Sequence, residues 1–187
     1  MAKKCQSEHT AQRHAALQQS LLALLHNQSF QDISVKDICQ YAAIPRRTFY
    51  HYFNGKEDLM DALISDLILA CDLASMPDFS ADTQDIHQSF ERFFQFWGKT
   101  HSDTLAMLLR NGQGQRIIHF AVIWFQREVQ RVNDWSQKEV DQQKMVVLAT
   151  TTGVFSLLFY WMGNGCKENI TQMADYAVLF LTKPLLP

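Results

Sequence analysis

Apolar residues recur along this chain at three- and four-residue intervals, and nowhere do they alternate as in a strand, so the pattern predicts helices throughout. From about Thr10, Leu17, Leu21, Leu24 and Leu25 stripe a first helix that ends at residues 27–29. Val35, Ile38, Cys39 and Ala42 stripe a second, with Ser34 as its N-cap and Asp37 three residues on completing a capping-box pattern. Pro45 lacks the N–H that a first helical turn leaves unpaired, so it starts a third helix, in which Phe49 and Phe53 point inward. Asn54 and Gly55 stop it. Lys56 opens a fourth helix over residues 56–74, with Leu59, Leu63, Ile64, Leu67 and Ala70 on its apolar side, and residues 75–80, with Pro77, break it.

The second half continues in the same way. Residues 82–99 put Ile86, Phe90, Phe93, Phe94 and Trp97 on one face, widened by Phe96. Ser102 caps a short sixth helix that stops before Asn111-Gly112-Gln113-Gly114, a turn without the strand or the spacing of a phosphate loop. A seventh helix, residues 115–134, is apolar from Ile117 to Phe125 except for His119, which predicts burial on more than one side. An eighth, residues 137–162, stops at Gly163-Asn164-Gly165. A ninth, residues 171–182, aligns Ala174, Ala177, Val178 and Leu181 before Pro184 closes the chain. The fold class is all-α, with about nine helices.

The third helix carries the chemistry. Arg46, Arg47, Tyr50 and His51 fall largely on the face opposite Phe49 and Phe53. Arginine can fork onto guanine O6 and N7, and tyrosine and imidazole reach phosphates or base edges. A short helix of this kind, held by its partner across a tight turn, is the recognition helix of a helix-turn-helix. Arg46, Arg47 and His51 are the expected base-reading residues; Ser34, Lys36, Tyr50, Tyr52 and Lys56 are the expected phosphate contacts. Lys56 enters because the free N–H groups of a helix N-terminus favour an anion beside it.

Phe30-x-x-Ile33-Ser34-Val35-x-x-Ile38, then Ile44-Pro45-x-x-Thr48-Phe49-Tyr50-x-Tyr52-Phe53-x-x-Lys56-x-x-Leu59, resembles the DNA-binding domain of TetR/AcrR-family transcriptional regulators over about residues 10–64. Ser29 stands where the family usually has glycine, and Pro45 where it often has serine. The resemblance implies a DNA-binding domain over residues 1–56 and a helical ligand-binding and dimerisation domain over residues 57–187, with the fourth helix linking them. It also implies a homodimer on a palindromic double-stranded operator and repression more often than activation, while the scattered cysteines suit a reduced, cytoplasmic protein. The end of the eighth helix, Trp161 to Gly165, resembles one subgroup of the family, which supports dimerisation through the last two helices.

Charge enters through its distribution. The net charge is −2, yet residues 1–60 hold seven Lys and Arg against five Asp and Glu, while residues 61–187 hold ten against fourteen. Cys5, Cys39, Cys71 and Cys166 form no CxxC, so neither a zinc site nor a disulfide framework is expected. Residues 1–9 read as a loose basic arm and not as a signal peptide. Met145 to Trp161 carries no charge, but Thr150, Thr151, Thr152, Gly153 and Ser156 interrupt it and it lacks the flanks of a span of about 20 residues. No membrane is expected; a helix packed on its own domain on one side and on a partner subunit on the other is. No catalytic signature pairs a nucleophile with a base, so the chain is not expected to be an enzyme and no cofactor or metal is expected.

The aromatic residues of the second half suggest a pocket. Phe93, Trp97, Phe120, Trp124, Phe155 and Phe159, with His119 as a polar group, are the expected lining for a mostly apolar small-molecule effector. The competing expectation is a second half that docks another protein and takes no small ligand.

Overall fold

The structure, a computed structural model, describes residues 2–75, 83–132 and 137–182. Within them the chain forms α1 (Ala2–Leu25), α2 (Val35–Tyr41), α3 (Arg46–Tyr52), α4 (Lys56–Ser75), α5 (Thr83–Gln95), a π-helical turn (Phe96–Thr100), α6 (Ser102–Arg110), α7 (Gly114–Val132), α8 (Gln137–Gly163) and α9 (Ile170–Thr182). The all-α class and the nine helices are as expected. The break over 76–80, the start at Asp82, the end at Asp134 and the closing Pro184 lie outside the described residues. α1 begins at Ala2, so the stretch read as a loose arm is helical.

The chain divides into two units, Met1–Ile64 and Ser65–Pro187. The division falls inside α4 and not at residue 56. The first turns of α4 belong to unit 1 because Leu59, Met60, Leu63 and Ile64 are all buried. Leu17, Leu21, Phe30, Ile33, Ile38 and Phe49 complete that core.

The start of α2 is a closed capping box. The Asp37 N–H donates to Ser34 Oγ at 3.3 Å, and the Ser34 N–H donates to Asp37 Oδ2 at 2.9 Å. The end of α2 is less ordinary. Ala43 sits in the left-handed region at φ 52°, where a Cβ is unfavourable. The turn persists because Ile44 N–H reaches the Cys39 carbonyl at 3.0 Å and Ala43 N–H the Gln40 carbonyl at 3.3 Å, closing the end of the helix. Pro45 is the N-cap of α3 and not its first helical residue; its carbonyl accepts from Thr48 at 2.8 Å and Phe49 at 3.1 Å. A proline also disfavours the helical conformation at the residue before it, which favours a break between the two helices.

In unit 2, α5 packs on α9 and α7 on α8. α5 ends in a π-helical turn, in which His101 N–H donates to the Phe96 carbonyl at 2.8 Å, five residues back. The wider turn lets Phe96, Trp97 and Gly98 all be buried in succession, which an unbroken α-helix with one apolar face does not allow. Gly98 has a separate reason: a Cβ there would stand inside the ring of Trp161, which closes over the bare backbone. Trp161 is itself buried, and its Nε1–H donates to the Glu168 carbonyl at 3.0 Å.

α8 is long and apolar enough to cross a membrane, and 33% of its apolar stretch is buried within the structure. Val147, Thr151, Val154, Phe155, Leu158 and Trp161 form one buried stripe, while Met145, Leu148, Ser156 and Tyr160 lie exposed on another face. A Cβ on Gly153 would lie 2.5 Å from Phe180 Cζ, so α9 lays an aromatic ring directly on α8.

The contact at Gly98 makes a clear prediction. Gly98→Ala has to push the Trp161 indole out of a filled core, which should cost about 1–3 kcal/mol. Denaturant unfolding followed by tryptophan fluorescence measures it; an unchanged midpoint would mean that the indole moves freely.

Candidate nucleic-acid interface

Phe49, fully buried, fixes the rotation of α3. Its ring meets Phe53 at 5.7 Å and stands edge-on to Tyr50 at 5.5 Å, so the core residue also braces an exposed one. With Phe49 turned inward, Arg47, Tyr50 and His51 are exposed and Thr48 and Tyr52 half-exposed. These five side chains and Arg13 line an open cleft of about 630 Å³. Its lining holds two guanidinium groups, an imidazole and three hydroxyls, and no carboxylate. Such a surface offers forked and single donors to an anionic, hydrogen-bonding partner and nothing that repels it.

Arg13 was not among the residues expected from sequence. It lies one turn before Leu17 on the same stripe of α1, and following that stripe toward the N-terminus leads to it. It hydrogen-bonds the Tyr52 hydroxyl and, with help from Thr10, holds that phenol below its ordinary value of 10.0. The Tyr52 ring is held by His14 edge-on at 4.9 Å and by His51 at 5.1 Å. Arg46 is exposed but does not line the cleft. Its charge instead opposes the rise that burial imposes on the Cys39 thiol in α2. The structure thus brings Arg47, His51, Tyr50 and Tyr52 together and leaves Arg46 to one side. Lys36 is exposed on α2.

Two expected phosphate contacts have other work. The Lys56 ammonium donates to the carbonyls of Phe30 at 2.7 Å, Gln31 at 2.9 Å and Ile33 at 2.7 Å, and lies 4.9 Å from the centre of the Phe30 ring. An ammonium has three N–H donors, and all three are taken. Ser34 gives both its N–H and its O–H to Asp37 Oδ2, so it too keeps no donor for a phosphate. The anion site expected at Lys56 needs an ammonium free to reach a phosphate, and here its N–H groups go to loop carbonyls.

In unit 2, the expected pocket lining separates into two groups. Phe93 meets Phe155 edge-on at 5.4 Å, Trp97 meets Phe155 at 6.1 Å, and Phe155 meets Phe159 at 5.9 Å. His119 is exposed, so it lines no interior. The buried residues of α7 are Ile117, Ala121 and Val122, and this register turns His119 outward. Phe120 and Trp124 are half-buried, and their rings meet His119 and Phe125. Among the described residues no three His, Cys, Asp or Glu side chains gather as a metal site.

A three-helix unit whose third helix presents a cationic cleft, followed by a larger helical unit, defines a helix-turn-helix regulator fold. Residues 20–63 match the family described as "Bacterial regulatory proteins, tetR family". The HTH-type transcriptional regulator EthR of Mycolicibacterium smegmatis is 39% identical over 93 residues, which are 46% of this chain and 42% of that protein. The match therefore spans less than half the length of this curated relative. The solved structure of a TetR transcriptional regulator from Streptococcus agalactiae superposes with TM-score 0.65 at 15% identity, covering 97% of this chain and 99% of that one. The fatty acid degradation regulator FadR of Bacillus halodurans follows with TM-score 0.56 at 13% identity, covering 93% and 96%. These likenesses show that the fold runs the length of the chain.

Lys56→Met keeps the stem and removes the ammonium, leaving three carbonyls without their donor. Unit 1 should lose about 1–3 kcal/mol in denaturant unfolding, while the salt dependence of DNA binding by the folded fraction stays as in the wild type. Unchanged stability with a salt slope shallower by about one would return Lys56 to the phosphate role.

Asp37 is held below its ordinary value of 3.8, first by the Ser34 side-chain hydrogen bond and then by the Ser34 N–H. A depressed carboxylate pKa gives stability that is present above the unfolded value and is lost as pH falls through the folded value. Asp37→Asn should therefore flatten the acid side of the stability curve below pH 3.8. An acid limb identical to the wild type would remove the box from the titration.

Proposed function

We propose that the protein is a sequence-specific DNA-binding transcriptional regulator in the cytoplasm, acting as a homodimer on a palindromic operator and released by a mostly apolar effector. The observation that carries the DNA reading is the α3 cleft, where Arg47 and His51 stand exposed between Tyr50, Thr48 and Arg13 with no carboxylate among them. Arg47 and His51 read base edges. Arg46, at the first turn, reads at the edge of the site. Tyr50, Tyr52, Lys36 and the newly identified Arg13 hold phosphates. Arg47→Ala should cost about 1–3 kcal/mol on the cognate site and narrow the gap between cognate and random DNA. Equal binding of both DNAs by variant and wild type, measured at one fixed salt concentration, would remove α3 from the reading role.

The dimer is supported by exposed apolar side chains on the two C-terminal helices. Met145, Leu148 and Tyr160 of α8 and Tyr176, Leu179 and Phe180 of α9 leave large apolar surfaces uncovered. A recognition helix of seven residues reads only a few base pairs, and two-fold symmetry supplies a second one a helical turn of DNA away. Leu148→Asp combined with Leu179→Asp should give a monomer in sedimentation at micromolar concentration and lower operator affinity at least tenfold. A double variant that remains dimeric would move the interface elsewhere.

The effector reading is supported by the aromatic group of Phe93, Trp97, Phe155 and Phe159. Coupling runs through α4, one continuous helix from Lys56 to Ser75 that carries residues of both units. It is reciprocal, so operator DNA weakens effector binding by the factor with which effector weakens DNA binding.

A further inference from the structure

We infer that unit 2 takes a neutral, mostly apolar molecule whose single hydrogen-bond acceptor receives the Trp97 indole N–H; this rests on the effector reading above and adds the chemistry of the effector. Trp97 is fully buried, and its Nε1 has no hydrogen-bond partner among the described residues. A buried indole N–H ordinarily finds an acceptor, because an unmet donor keeps the full penalty of leaving water. The same core shows how this is done: Trp161, equally buried, donates to the Glu168 carbonyl at 3.0 Å. Trp97 is left as the exception.

The backbone at Trp97 gives a second, independent sign. Trp97 lies in the π-helical turn Phe96–Thr100, closed by the bond from His101 N–H to the Phe96 carbonyl. Single π-turns inserted in a helix are uncommon and are frequent at functional sites. This one brings Phe96 and Trp97 inward together and sets the indole against Phe155 on α8. One turn before Phe155 on α8, Thr151 is a buried polar residue.

The surroundings select the kind of acceptor. The buried polar residues of unit 2 are Ser89, Gln113 and Thr151, and no lysine or arginine is buried among the described residues. A carboxylate or phosphate brought against the indole would meet no buried lysine or arginine among the described residues, and burying an unpaired charge is far more costly than burying a neutral polar group. The acceptor is therefore a carbonyl, ether or hydroxyl oxygen on an otherwise apolar frame.

A matched pair of probes tests this on the full-length protein. Acetophenone and α-methylstyrene have nearly the same shape and differ by a carbonyl oxygen in place of a methylene carbon. Acetophenone should bind at least tenfold more tightly, and should move downfield the indole N–H resonance that Trp97→Phe removes. Trp97→Phe, which keeps an aromatic ring, should lower acetophenone affinity to that of α-methylstyrene. The wild-type comparison carries the inference alone should the variant fail to fold. Equal binding of both probes to the wild type, with the Trp97 resonance unmoved, would overturn the role of the N–H and leave the effector reading standing. Binding of neither probe would overturn both.

Discussion

The geometry of unit 1 depends on one cation. Lys56, the first residue of α4, gathers the carbonyls of Phe30, Gln31 and Ile33 from the connection between α1 and α2. Those carbonyls lie outside any helix that could supply a donor, and buried or half-buried acceptors need one. Three N–H donors meet three acceptors, and the Phe30 ring lies beside the charge. The bond set ties residues that are 23 to 26 positions apart in the chain. It fixes the loop that delivers Ser34 to the start of α2, and α2 in turn delivers the tight turn into α3. The neighbouring turn is fixed as well: the Asn54 N–H and side-chain amide both donate to Asp58 in α4, so the exit of α3 is held from the same helix. The orientation of Arg47 and His51 is thus an indirect consequence of a lysine that touches neither.

Local features of unit 1 were legible because local chemistry decides them. Ser34 and Asp37 are three residues apart, and a capping box needs nothing more distant. The inward turn of Phe49 and the outward turn of Arg47 and His51 follow from helical spacing alone. The carbonyl partners of Lys56 are not legible, for the opposite reason. Its position predicts a helix N-terminus, but its partners are set by the return of the chain to the α1–α2 loop, which no local pattern announces. Ser34 was read twice, as cap and as phosphate ligand, and the first role consumes its donors. Ala43 gives no warning of a positive φ, since glycine or asparagine ordinarily fills such a position.

Unit 2 was legible in its helices and less so in its packing. The aromatic positions of α5 predicted a buried face, but the π-turn that follows shifts the register by inserting an extra residue, and periodicity cannot show an insertion when both neighbours are apolar. His119 interrupts an apolar run, which suggested a polar group inside a pocket; the stripe of Ile117 and Ala121 turns it to the surface instead. The chargeless run of α8 resolved into a buried stripe and an exposed apolar face. Apolar residues on both faces give the helix the hydropathy of a membrane span, and in the proposed dimer the exposed face is the part that a second copy covers.

The proposal that α3 reads DNA as one half of a symmetric pair is tested most directly by methylation protection on the DNA flanking the coding sequence. The account predicts guanine N7 atoms shielded in the major groove within two inverted half-sites, whose centres lie about 34–36 Å apart or a multiple of that. Protection of the phosphate backbone alone, with every guanine N7 open to reagent, would contradict it.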